Sequence, residues 1–214
     1  MSSHGASKQF DDWAETYDAE INEDTTAYPF AGYRRVLSRV AQQVAASVPV
    51  RVLDIGTGTG NLSVHVRNRN PSAEIWGIDF SPNMLRCASA KDPRAYLLQA
   101  DISYELPNLT LPTFDYVVSS YVLHGIPDDA RLALIQHLVT TTLRPGGTLA
   151  IGDISFSSQE HLAVTRSHYS RTWDDSEHYF VASELLASMR DRGCVGEYVQ
   201  ISICAGLFTF QALR

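Results

Sequence analysis

The stretch Asp54-Ile55-Gly56-Thr57-Gly58-Thr59-Gly60 follows directly on the apolar run Val52-Leu53 and leads into a helical pattern that begins at about Asn61. Glycine is needed where φ is positive or where a Cβ would collide with a ligand, and the first turn of a helix offers N–H groups without intrahelical partners. A strand, alternating glycines and a helix thus make a place where a ligand can approach bare backbone. Asp79 ends the next apolar stretch, about 20 residues past the loop, where a carboxylate can accept from ribose hydroxyls. Asp101, in Gln99-Ala100-Asp101-Ile102, holds the same position after the following strand and could accept from an adenine amino group. Consecutive strand ends would then converge on one adenosine, at the crevice where open α/β sheets bind ligands. The dinucleotide fingerprint G-x-G-x-x-G/A is not matched, because Asn61 falls where its last small residue belongs. The spacing points to a different nucleoside cofactor.

Each of these residues also has a plainer reading. Asp54 either contacts a ligand amino group or braces the glycine loop. Asp79 and Asp101 could be helix caps, although their recurrence at successive strand ends beside this loop favours binding. The Asp79 side chain is expected at a solvent-open crevice. Phe80 and Met84 could be core residues and gain interest only from following Asp79. His124, in Tyr121-Val122-Leu123-His124-Gly125, lies at the mouth of the expected site and is either a base or a structural histidine. Glu15, Asp18, Glu20, Glu23 and Asp24 make the N-terminal stretch acidic, which reads first as a solvated face.

These residues must be carried by a regular frame. Phe10, Trp13, Ala14 and Tyr17 stand at helical spacing, and Val36, Leu37, Val40 and Val44 make a second stripe closed by Pro49. From Arg51 the pattern alternates: strand Arg51 to Ile55, a helix, strand Glu74 to Ile78, a helix opened by N-cap Ser81 and Pro82, then strands Ala95 to Gln99, Phe114 to Tyr121 and Thr148 to Ile154. A helix from about Asp128 to Leu143, ended by Pro145-Gly146-Gly147, separates the last two. Such alternation indicates a mostly parallel sheet with helices on both faces. A helix from about Ser183 to Arg192 and two strands, Tyr198 to Cys204 and Leu207 to Ala212, complete the chain. With Ala205-Gly206 as their whole connection, the last strand must be antiparallel to its predecessor.

At 214 residues one domain is the economical expectation, and a hydrophobic share of 44% is that of an ordinary globular protein. No apolar run approaches the roughly 20 residues that cross a bilayer, and the first residues carry no secretory pattern, so a cytoplasmic protein is expected. Cys87, Cys194 and Cys204 lack metal or disulfide spacing. A net charge of −7 works against DNA as a partner.

The motifs in this order resemble the class I S-adenosylmethionine-dependent methyltransferases across roughly residues 10–214. Asp54-x-Gly56-x-Gly58-x-Gly60 is similar to that family's first motif and Asp79-Phe80-Ser81-Pro82-x-Met84 to its second. Asp101-Ile102 is similar to its third, Phe114-Asp115-Tyr116-Val117-Val118-Ser119 to its fourth, and Leu143-Arg144-Pro145-Gly146-Gly147 to the turn before its fifth strand. Phe10-Asp11-Asp12-Trp13, Tyr28-Pro29-Phe30-Ala31-Gly32-Tyr33 and Tyr179-Phe180-Val181 add a likeness to the bacterial YrrT-type group, whose acceptor is not established. The resemblance implies a Rossmann-like, mostly parallel seven-stranded sheet with an antiparallel last strand in a single domain over 1–214. Residues 1–48 would form a cap, 49–214 the core, and about 155–182 an insertion.

It further implies that Gly56, Thr57, Gly58 and Gly60 wrap the methionine and ribose of S-adenosylmethionine, and that Asp79 holds the ribose. Phe80 and Met84 would flank the adenine, Asp101 and Ile102 read its edge, and Ser119 lie near the methionyl part. Tyr17 would meet the cofactor carboxylate or close the pocket, its alternative being simple packing of an N-terminal helix. Tyr28, His124, His168, Trp173 and Tyr179 are the acceptor-side candidates, the last three in an insertion read as irregular, whose aromatic cluster is either an acceptor pocket or a packed lid. The acceptor is expected to be a small molecule, because Ser119-Ser120-Tyr121-Val122 replaces the Asn/Asp-Pro-Pro-Tyr pattern of base-amino methyltransferases. No metal is required, and the chain would be a monomer or homodimer. RNA or protein acceptors, a nicotinamide-dependent oxidoreductase and a non-catalytic cofactor-binding protein are the alternatives.

Overall fold

The computed structural model describes residues 10–21, 26–102, 106 and 110–213. Glu23 and Asp24 lie outside them. Among the described residues, a helical turn over 10–13 and a turn at 14–16 lead into α1 (Tyr17–Ile21), so the expected single N-terminal helix is broken. Next come α2 (Tyr33–Ala41), β1 (Arg51–Ile55), α3 (Asn61–Arg69), β2 (Glu74–Asp79), α4 (Pro82–Lys91), β3 (Tyr96–Gln99) and β4 (Phe114–Ser120). They are followed by α5 (Asp128–His137), β5 (Leu143–Phe156), α6 (Gln159–His168), β6 (Phe180–Val181), α7 (Ala182–Asp191), β7 (Gly196–Gln200) and β8 (Ala205–Gln211). The main sheet runs β3-β2-β1-β4-β5-β8-β7. Strands β1 to β5 pair in parallel, and β8 is antiparallel to both β5 and β7.

The sheet is covered on both faces, as a parallel sheet built of crossovers must be. On one face Leu53, Ile55, Val117, Leu149, Ile151 and Phe208 pack with Leu134 and Ile135 of α5 and Leu185 and Met189 of α7. On the other, Val52, Ile75, Val118, Ala150 and Leu207 pack with Val36 and Val40 of α2 and Leu62 and Val66 of α3. The Rossmann-like architecture expected from the alternation is thus present.

Three details differ from the expectation. First, the β7–β8 turn is Ile201–Cys204, and Ala205-Gly206 opens β8. A Cβ at Gly206 would fall 2.4 Å from the Tyr198 ring, so this small residue serves strand packing and not the turn. The Gln200 amide closes the turn by donating to the carbonyls of Ser202 (2.8 Å) and Ala205 (3.2 Å). Second, β5 starts at Leu143, and Pro145-Gly146-Gly147 lies inside it, held by Gly146 N–H to Ala212 O (3.2 Å) and Ala212 N–H to Gly147 O (2.9 Å). The preceding helix has already given way to a π turn over Leu138–Thr142. Third, the insertion is ordered by α6, capped by the Ser158 hydroxyl on His161 N–H (3.2 Å), and by β6, an eighth strand that pairs with Ser155 and Phe156.

Candidate active site

The glycine loop follows β1 at the carboxyl edge of the sheet. Gly56, Gly58 and Gly60 all have positive φ (66°, 54° and 82°). The space around them differs: a Cβ at Gly56 would strike Val122 and one at Gly60 would press on Ala88, whereas one at Gly58 would meet nothing within 4 Å. Gly58 is therefore where the backbone faces open space. Thr57 N–H is tied to Ile78 O (2.9 Å) and Gly60 N–H to Thr57 O (2.8 Å), so the loop holds its curve against β2 and α3.

Asp79 contributes to that curve. Its carboxylate accepts from Gly58 N–H (2.8 Å) and Ser81 N–H (2.9 Å), and the residue is only 7% exposed, not solvent-open as expected. Burial pushes its pKa up, against these amide contacts. The lone pairs left over on each oxygen can still take ligand hydroxyls. Ser81 caps α4, accepting from Met84 N–H (3.1 Å), with Pro82 at the first helical position. Phe80 is half-buried, Met84 and Ile102 are buried, and Asp101 is half-buried beyond β3.

Asp54 combines both of its expected roles in one carboxyl group. Oδ2 braces the loop by accepting from Thr57 Oγ1 (2.9 Å) and Ser63 Oγ (2.7 Å), while Oδ1 is buried with no partner. Burial raises its pKa to about 7. In the unfolded chain this carboxyl ionises near 4, so between about pH 4 and 7 the folded state binds more protons and Asp54 subtracts stability as pH rises. Thermal unfolding of wild type and Asp54→Asn across pH 4–8 should therefore show the variant gaining on wild type through that window and a constant difference above it. A constant difference throughout would refute the buried, acid-shifted carboxyl.

The N-terminal segment closes over the loop. Asp18 of α1 accepts from Thr59 Oγ1 (2.7 Å) and Asn61 Nδ2 (2.9 Å) and pairs with Lys91, which hold its carboxyl below the usual range against burial. Asp11 takes the Ser81 hydroxyl and Asn83 N–H (3.3 Å), and the Phe10 ring meets Phe80 edge-on at 5.5 Å. Tyr17 is half-buried beside Trp13 (4.7 Å) and hydrogen-bonds with Tyr33. The acidic segment is thus not simply a solvated face, since Asp11 and Asp18 are latches. Ser119 is buried and donates to Ile55 O (2.9 Å), so its hydroxyl ties β4 to β1.

Among the residues expected to meet an acceptor, Tyr28 stacks on Trp173 (5.0 Å, 14°), and Tyr179 stands edge-on to Trp173 at 4.7 Å. The Tyr28 and Tyr179 hydroxyls hydrogen-bond to each other, and Tyr179 donates to Asp174 O (2.9 Å). The structure thus brings Tyr28, Trp173 and Tyr179 together with Phe156. His168 is not part of this wall: it is exposed at the end of α6 and touches it only through the Tyr169 ring (4.6 Å).

His124 has a partner that sequence reasoning did not find. Its Nδ1 lies 2.6 Å from Oδ1 of Asp153, a fully buried carboxylate near the end of β5 that also accepts from Leu123 N–H (2.9 Å) and Ile154 N–H (2.7 Å). Burial pushes the imidazole pKa down, but Asp153 and Glu177 outweigh it and the net shift is upward. The ring is 16% exposed, and His178 N–H donates to His124 O (2.8 Å), tying the insertion to this loop. Arg131, 4.0 Å over the Phe180 ring, links α5 to the same insertion by donating to His178 O and is held within its own helix by Asp128 (2.5 Å). The only signal of Asp153 in the sequence was an acidic residue inside an apolar strand, Ala150-Ile151-Gly152-Asp153-Ile154.

A family model described as a methyltransferase domain matches residues 52–147. An uncharacterized methyltransferase of Geobacillus kaustophilus is 31% identical over 192 residues, covering 84% of each chain. Among solved structures, magnesium protoporphyrin IX methyltransferase from Synechocystis with bound S-adenosylhomocysteine superposes with a TM-score of 0.74 at 15% identity, covering 98% of this chain and 99% of that one. A Haloferax volcanii complex of the Trm112 methyltransferase activator and a putative methyltransferase gives 0.70 at 19% identity, with 96% and 98% covered. The chain belongs to the class I S-adenosylmethionine-dependent methyltransferases. No helix among its described residues is long and apolar enough to cross a membrane.

Proposed function

We propose that this single-domain chain binds S-adenosylmethionine across the ends of β1, β2 and β3 and moves its methyl group to a small-molecule acceptor, with His124 and Asp153 handling the acceptor proton. The observation that carries the reading is Oδ1 of Asp54, buried without a partner among the described residues on the carboxyl group whose other oxygen braces the glycine loop through Thr57 and Ser63. A ligand ammonium supplies the missing donor there, and the cofactor's amino group has that chemistry. Asp79 retains acceptor capacity for the ribose, Asp101 and Ile102 flank the adenine edge, and Phe80 and Met84 its faces.

When bound, the cofactor supplies an electrophilic methyl carbon on a sulfonium. The chain's own part is to align and to desolvate. Asp153 holds His124 through Nδ1, which leaves Nε2 to accept the acceptor's proton. Tyr28, Trp173, Tyr179 and Phe156 form one packed aromatic cluster, in which Trp173 and Tyr179 are the partly exposed rings that would face the acceptor. An aromatic cluster of this kind fits a small organic acceptor.

A second reading rests on a groove of about 500 Å³ between α2 and the end of β7, lined by Arg34, Arg35, Arg39 and Val199. These arginines form a basic patch that the sequence spacing did not reveal, and they would suit an anionic macromolecule such as RNA. The test is a thermal-shift titration with S-adenosylmethionine, S-adenosylhomocysteine and NAD(H), followed by S-adenosylhomocysteine release in cell extract split by ultrafiltration. A ligand at 100 times its dissociation constant adds about 2.7 kcal/mol to stability. The proposal expects shifts with the first two ligands only and turnover in the low-mass fraction. Turnover confined to the retained fraction favours the groove, and binding without turnover in either fraction leaves a non-catalytic protein.

A further inference from the structure

Tyr121 carries two independent anomalies. Among the described residues it is the only non-glycine residue at positive φ (55°), a conformation that costs a bulky side chain about 1–2 kcal/mol and survives only where the surroundings impose it. The surroundings here do: Tyr121 N–H donates to Gly152 O (3.0 Å), and the next two amides, of Val122 (3.3 Å) and Leu123 (2.9 Å), both donate to Asp153 Oδ2. The second anomaly is the hydroxyl. The residue is 9% exposed, and its phenolic oxygen is buried with no hydrogen-bond partner among the described residues.

Packing accounts for the ring and not for the oxygen. The ring lies 5.1 Å from Tyr33 and 5.8 Å from Phe30, contacts that a phenylalanine would make equally well. A buried hydroxyl without a partner is a net cost to the free protein, so something else must complete it. The cofactor side already has its open acceptor in Asp54, and the Tyr33 hydroxyl is occupied by Asn61 Nδ2 (3.3 Å). Tyr121 belongs to the same turn after β4 as His124, a turn anchored on Gly152 and Asp153 of β5, while its ring packs in the cluster of Phe30 and Tyr33. Burial, reinforced by Cys204 and Asp153, holds the phenol neutral, which makes it a donor at any working pH.

We propose that the Tyr121 hydroxyl donates a hydrogen bond to an oxygen or nitrogen lone pair of the methyl acceptor, so that the strained turn fixes where the acceptor sits and selects acceptors bearing such an atom. This rests on the methyltransferase reading above. The test is Tyr121→Phe, measured for thermal stability without ligand, for S-adenosylhomocysteine affinity by calorimetry, and for S-adenosylhomocysteine release from S-adenosylmethionine in cell extract. The expected result is a melting temperature equal to or above wild type, unchanged affinity, and turnover lowered about three- to fifteen-fold, the worth of one neutral hydrogen bond. A lower melting temperature would show the hydroxyl to be structural. Weakened affinity would assign it to the cofactor, and equal turnover would remove it from the acceptor site while leaving the methyltransferase reading intact. A wild-type protein that binds S-adenosylhomocysteine and turns over nothing overturns both.

Discussion

His124→Ala is expected to lower methyl transfer by about 10²–10⁴-fold, the usual contribution of a positioned general base, while S-adenosylhomocysteine affinity stays within twofold of about the wild-type value. The geometry supports so large an effect because the imidazole is fixed: Nδ1 is held 2.6 Å from Asp153, and the backbone before it is tied to the same carboxylate. The sign of the pH dependence follows. Asp153 and Glu177 raise the imidazole above its ordinary value near 6.5, so the base form accumulates only as pH climbs past that value, and wild-type turnover should still be rising there. Asp153→Asn removes the main charge that raises it, and the rising limb should move to lower pH. The measurement is initial rate against pH with S-adenosylhomocysteine release as readout. A variant at position 124 with wild-type rates at every pH would return the histidine to a structural role.

Asp79→Ala should lower stability and cofactor affinity together. Removing the carboxylate leaves Ser81 N–H unpaired in a buried setting, at about 1–3 kcal/mol, and frees the part-buried Gly58 N–H that holds the loop's curve. A total loss of about 2–4 kcal/mol is expected in urea unfolding, with S-adenosylhomocysteine affinity reduced at least about tenfold, worth 1.4 kcal/mol or more. Asp79→Asn keeps one acceptor oxygen and should recover much of the stability and less of the affinity. If the alanine variant lost affinity at full stability, the loop would be holding its shape without this side chain, and the bracing account would fail.

The parts legible in the sequence were those written in local patterns. Apolar runs alternating with helical stripes from Arg51 onward reveal a parallel sheet because each buried strand must be nearly continuous in hydrophobic residues. The glycine loop and the acids at two strand ends are equally local. What was missed depends on partners far along the chain. Asp153 reads as an oddity until β4 and β5 bring it to His124, and Asp18 reads as one of several surface acids until α1 meets Lys91 of α4. Gly206 looked like a turn residue, but its smallness answers to the Tyr198 ring across the β7–β8 pair. Helix α6 escaped because it buries little: only Thr165 is fully covered, so there is no apolar stripe to read. The strain at Tyr121 has no sequence signature, since neither its type nor its neighbours demand a left-handed backbone.

The contacts of Asp11 and Asp18 bear on the timing of the catalytic cycle. Both fasten the N-terminal segment to residues of the glycine loop and the turn after β2, Thr59, Asn61 and Ser81, which border the crevice proposed for the cofactor. If the cofactor binds as proposed, its spent form leaves past that boundary, and each round then requires the fastening to part and reform. The Asp18–Lys91 link is about one-third exposed on each side, within reach of dissolved ions. Moderate salt should therefore hasten product departure while leaving the chemical step untouched, placing the pace of repeated turnover in a seam of surface charges and not in the methyl transfer itself.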